Sequence, residues 1–91
     1  MQAQQREQLR LSLTRFLDAN PTRFGLSTDL LWQMARNEGR PKLTREEIEA
    51  ELQYLADKDY ATEAVKEVSP ENRAWRITAA GRDFYAQLTP E

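Results

Sequence analysis

The stretch "LTREEIEAELQYLADKDY", Leu43 to Tyr60, reads as a single helix with a well-marked start. Thr44-Arg45-Glu46-Glu47 has the form of a capping box. In such a box the N-cap hydroxyl accepts from the N3 amide and the N3 glutamate returns to the N-cap amide. Leu43 and Ile48 hold the staple positions on either side. Ile48, Leu52 and Leu55, helped by Ala56, recur at helical spacing and predict the buried stripe. With that stripe turned inward, Glu46, Glu49, Ala50, Gln53 and Asp57 fall on the opposite arc. The stretch is acid-rich, with Glu46, Glu47, Glu49, Glu51, Asp57 and Asp59 against only Arg45 and Lys58.

Upstream, "REQLRLSLTRFLDAN" carries Leu9, Leu13, Phe16 and Leu17 at the spacing of one helical stripe, and Asn20-Pro21 ends it, because the residue before proline is pushed away from helical dihedrals. "FGLSTDLLWQMARNEGRP" predicts a second helix. Ser27 is its N-cap, Asp29 suits the positive end of the dipole, and Leu26 staples onto Leu31. Leu31, Met34 and Ala35 give its buried face, Gly39 the C′ position and Pro41 the stop. Trp32 lies off the tightest stripe, so it either covers the core edge or marks a contact surface.

Downstream, the period changes from helix to strand. "YATEAVKEV" and "RAWRIT" are two short runs around Ser69-Pro70-Glu71-Asn72, a type I turn sequence, and together they predict a β-hairpin. Trp75 and Ile77 share one face of the second run, with Val65 placed to meet them. Thr78 can cap a last helix, "TAAGRDFYAQL", with Ala80, Phe84 and Leu88 as its stripe. Gly81 inside that helix is costly unless another element crosses close to it.

The 91 residues suffice for one domain with a single modest core, and 31% of them are charged. No long apolar run predicts a membrane span or a secretory signal. Cysteine and histidine are both absent. That removes disulfides, thiolate metal sites and the usual nucleophile–base pairs, and it fits a reducing cytoplasm. The serines are few, and Ser27 and Ser69 sit where a cap and a turn already use them. No enzyme and no cofactor are therefore expected. Glu46, Glu47, Glu49 and Glu51 do not converge on one side of a helix, so no metal site is expected either. The net charge of −2 is uneven: residues 1–42 sum to +3 and residues 43–91 to −5.

The order helix, helix, helix, hairpin, helix resembles the winged helix-turn-helix family, over nearly the whole chain from Leu9 to Leu88. The resemblance is carried by the capped helices around "NEGRPKLT", by "LQYLADKDYATEA", and by "RITAAGRDF". The last is similar to the "(L/I)T..G" strand-to-helix junction of small bacterial and phage-encoded winged-helix regulators. It implies an α+β, mainly α fold, with one winged-helix domain over residues 1–91, three helices, a β-hairpin wing and a C-terminal helix. The linker between helices two and three is longer than the tight turn of simple helix-turn-helix repressors.

The resemblance also implies transcription regulation through double-stranded DNA. The third helix would enter the major groove and the wing would touch the backbone, with a homodimer on two half-sites as the expected assembly. The acidic arc works against phosphate contact, so the loop and the wing must supply the affinity. The nucleic-acid-binding candidates are Arg40, Lys42, Thr44, Arg45, Gln53, Lys66 and Arg73. Arg76 adds charge to the hairpin, and Gln53 is able to read adenine. Arg6, Arg10 and Arg15 fall on the first helix, away from the docking arc. The alternative is a protein-interaction module that binds no DNA and meets a protein partner through Glu46, Glu49, Asp57 and Trp32.

Overall fold

A computed structural model describes residues 2–22, 24–64 and 73–88. Helix α1 (Ala3–Ala19) is followed by a two-residue strand β1 (Leu26–Ser27), α2 (Thr28–Asn37), α3 (Arg45–Asp57), β2 (Ala61–Glu63), β3 (Ala74–Ile77) and α4 (Ala79–Leu88). The class is α+β and mostly helical, with one three-stranded antiparallel sheet in the order β1-β3-β2.

The predicted stripes meet in one core. Leu9, Leu13, Phe16 and Leu17 of α1 pack with Leu31 and Ala35 of α2, with Ile48, Leu52 and Leu55 of α3, and with Trp75 and Ile77 of β3. Burying this apolar surface is the main force that holds three helices and a short sheet together. Both predicted caps form. The Ser27 side chain accepts from the Leu30 amide at 3.1 Å. Thr44 Oγ1 accepts from the Glu47 amide at 3.2 Å, while the Thr44 amide donates to Glu47 Oε1 at 2.9 Å. That backbone hydrogen bond holds the Glu47 carboxyl below its ordinary pKa, with the Thr44 hydroxyl adding to it and desolvation opposing it. The resulting stability is fully present above the ordinary glutamate pKa and is lost as pH falls through the lowered one.

Strand β1 has no counterpart in the sequence reading, which placed Leu26 as a staple. Leu26 also pairs with Trp75, and Ser27 with Ala74, across the β1–β3 edge. Helix α2 is bolted to the residue just before β3, since both the amide and the hydroxyl of Thr28 donate to the Arg73 carbonyl. On the other side of β3, Ala61 pairs with Ile77 and Glu63 with Trp75. The predicted turn Ser69–Asn72, and Val65, lie outside the described residues.

The stripe expected for α4 is displaced. Ala80 and Leu88 are exposed, and the inward face is Gly81 with Phe84 and Tyr85 half-buried. The reason is Gly81 itself. A Cβ there would stand 2.0 Å from the Tyr60 carbonyl oxygen, so the helix turns its one side-chain-free position towards that backbone. Thr78 Oγ1 accepts from the Gly81 amide at 3.0 Å, as its capping position predicts.

Helix α3 ends in a Schellman motif. The Asp59 amide donates to the Ala56 carbonyl at 3.0 Å and the Tyr60 amide to the Leu55 carbonyl at 2.9 Å. This forces Asp59 to a φ of 64°, the left-handed region in which a Cβ is strained. Asp59→Gly is therefore expected to raise stability by roughly 0.5–1 kcal/mol. Urea denaturation checks this, with Asp59→Ala expected to move the midpoint the other way.

Candidate functional site

The solvent side of α3 does not stand alone. On α3, Glu46, Ala50, Gln53 and Asp57 are exposed and Glu49 is half-exposed. At the start of the helix, Arg45 Nη1 reaches Asp29 Oδ1 of α2 at 2.5 Å, and its Nε reaches Glu49 Oε1 at 2.9 Å. Towards its end, Gln53 Nε2 donates to Asp57 Oδ1 at 3.0 Å. Gln53 Oε1 accepts from Arg73 Nη2 at 3.3 Å, and the same nitrogen donates to Glu63 Oε1 of β2 at 2.7 Å. The Arg73 guanidinium lies over the Trp75 ring, 4.5 Å from its centroid. A continuous polar surface thus runs from the first turn of α2, along α3, to the end of the β2–β3 pair marked by Glu63 and Arg73.

Three of the sequence candidates, Arg45, Gln53 and Arg73, are brought together on this face. Thr44 sits at its edge with its hydroxyl occupied by the capping box. Arg40 and Lys42 lie elsewhere, on the α1 side. Arg40 Nη2 donates to Ser12 Oγ of α1 at 3.1 Å and its Nη1 to Glu38 Oε1 at 2.9 Å. Both residues border an open groove of about 550 Å³ whose other walls include Gln5 and Gln8 of α1. Lys66 lies outside the described residues. Trp32, offered as a partner contact, is half-buried against the core, and its Nε1 donates to the Leu43 carbonyl at 2.8 Å. It therefore ties the α2–α3 linker down, which is the core-edge role.

Two polar clamps were not anticipated. Glu51 is 3% exposed, although it belongs to the acid-rich run of α3. Its Oε2 accepts from Arg6 Nε at 3.0 Å and its Oε1 from Arg10 Nε at 2.5 Å. A buried carboxylate without partners would cost several kcal/mol, so these two guanidiniums are what allow it there. The Arg10 guanidinium also covers the Tyr54 ring at 3.7 Å. The second clamp is Glu38, which accepts from Ser12 Oγ at 2.7 Å, from Arg40, and from Arg15. The signal for Glu51 was its spacing. It stands three residues after Ile48 and four before Leu55, on the inward side of α3. The arginines of α1 that seemed remote from any docking arc hold this helix to α3 and to the end of α2.

The electrostatic balance of the α3 face is negative: Arg45 and Arg73 stand among Asp29, Glu46, Glu49, Asp57 and Glu63. Among the described residues no group of three or more His, Cys, Asp or Glu could hold a metal ion, and no helix is long and apolar enough to cross a membrane. Comparison with protein-family models, with curated proteins and with solved structures finds no match.

Proposed function

We propose that this chain is a winged-helix module that binds double-stranded DNA and serves in transcription regulation, with α3 as the groove helix and the β2–β3 pair as the base of the wing. The observation that supports this most is the joining of α3 to the wing base through Gln53 and Arg73. It gives one surface on which a helix, a strand pair and the first turn of α2 can meet a duplex together. The element order, with a short β1 completing the sheet beside β3, fits the same family. Arg45 and Arg73 are the phosphate contacts, and Gln53 is the residue with the chemistry to read a base edge.

The second reading is a winged-helix protein-interaction module without DNA binding. It is favoured by one observation: Arg40, Arg45 and Arg73 each already pair with a carboxylate of the same chain. In that case Glu46, Glu49 and Asp57 meet a basic partner protein.

Backbone amide NMR titration with a generic duplex at low and physiological salt separates the two. On the DNA reading, shifts cluster in residues 45–57 and 73–76 and fade with salt, and Arg45→Ala/Arg73→Ala abolishes them. Lys42→Ala leaves them in place, because Lys42 is on the α1 side. An unchanged spectrum at low salt would reject DNA binding in favour of a protein partner.

A further inference from the structure

The cations of the α3 face are held in an unusual way. Arg45 is bracketed by two carboxylates from different places, Asp29 on α2 and Glu49 one turn along α3. Arg73 is pinned over the Trp75 indole while a single nitrogen serves both Glu63 and Gln53. Gln53 in turn spends its amide within the chain, accepting from Arg73 through Oε1 and donating to Asp57 through Nε2. An adenine edge needs that same acceptor and that same donor. While Arg73 holds Oε1 and Asp57 holds Nε2, the Gln53 amide is aimed at its internal partners, with one lone pair and one hydrogen left over.

We propose that the face is self-neutralised, and that Gln53 turns its amide to a base edge once a backbone phosphate has drawn Arg73 away from Glu63 and Gln53. This rests on the DNA reading above and adds its regulation. Surface ion pairs are weak, so phosphates are able to displace them. Once displaced, Asp29 and Glu63 remain beside the duplex and repel it. Their carboxylates therefore set how tightly any duplex is held. Selectivity follows from order: phosphate contact by Arg73 comes first, and base contact by Gln53 comes after it.

The test compares duplex affinity at low salt for wild type, for Asp29→Asn/Glu63→Gln, and for Glu7→Gln/Asp83→Asn. The last is an equal charge change at exposed positions on α1 and α4. All melting temperatures are measured first, to show that each variant is folded. Removing the two carboxylates of the face is expected to tighten binding by about tenfold or more, against less than about threefold for the remote pair. Adding Arg73→Ala to the tightened variant should cancel most of the gain. Gln53→Ala should reduce discrimination among duplex sequences in the tightened variant more than in wild type. If wild type binds and both neutralised pairs behave alike, self-neutralisation is wrong while the DNA reading stands. If no variant binds duplex at low salt, both fall.

Discussion

Gly81→Ala is expected to destabilise the fold by about 3 kcal/mol, an unusually large effect for one added methyl group. Judged by helix propensity alone, alanine inside α4 should gain about 1 kcal/mol over glycine. Packing reverses the sign. The new Cβ would lie 2.0 Å from the Tyr60 carbonyl oxygen, 2.9 Å from its carbon and 2.8 Å from Ile77 Cγ1. Two of these neighbours are backbone, so no rotamer change relieves them. Moving α4 outward would pull Phe84 off Tyr60, whose rings stack at 4.3 Å with an interplanar angle of 10°. It would also strain the hydrogen bond from the Thr78 amide to the Tyr60 carbonyl, 3.2 Å long. Urea denaturation gives the answer directly. A variant more stable than wild type would mean that the close approach of α4 to Tyr60 is not real.

Trp75→Ala should cost about 3–5 kcal/mol, a large part of the total stability of a domain this size. Trp75 is completely buried at the centre of β3, the strand both others pair with. Its ring fills the core, and its Nε1 donates to Thr28 Oγ1 at 3.0 Å. The ring also carries the Arg73 guanidinium. Trp75→Phe separates these roles. It keeps most of the apolar volume, loses the indole donor, and should cost roughly half as much as the alanine variant. Thr28→Val alone strands the indole N–H, whereas in the Trp75→Phe background it strands nothing comparable. The double-mutant cycle should therefore show coupling between the two positions. Additive losses would mean that the Trp75–Thr28 hydrogen bond contributes nothing to stability.

Much of this architecture was legible because its causes are local. The Thr44–Glu47 box, the Ser27 cap and the Leu9, Leu13, Phe16, Leu17 stripe each depend on residues within two turns of one another. Gly81 also announced its crossing, though not the crossing partner. Strand β1 was not legible. Two residues have no periodicity, and their extended pairing is imposed by Trp75 and Ala74, far away in sequence. The α4 stripe was misplaced because apolar spacing ranked Ala80 and Leu88 above a glycine, whereas contact with the Tyr60 backbone ranked the glycine first. On the candidate site, charge type alone could not separate Arg45 and Arg73, which share a face with Gln53, from Arg40 and Lys42, which face α1. Nor could it separate the buried Glu51 from its exposed neighbours.

The two carboxylate clamps also fix how far α1 sits along its own axis. Arg6 and Arg10 are one turn apart, so Glu51 alone would tolerate α1 slipping by a turn, about 5.4 Å, with one arginine taking the other's place. Glu38 removes that freedom. A slip in one direction would bring Gln8 and Leu11 to where Ser12 and Arg15 now stand, and in the other Phe16 and Ala19. None of those side chains reproduces the pair. The helix is thus indexed like a vernier: two scales of different spacing coincide at a single setting.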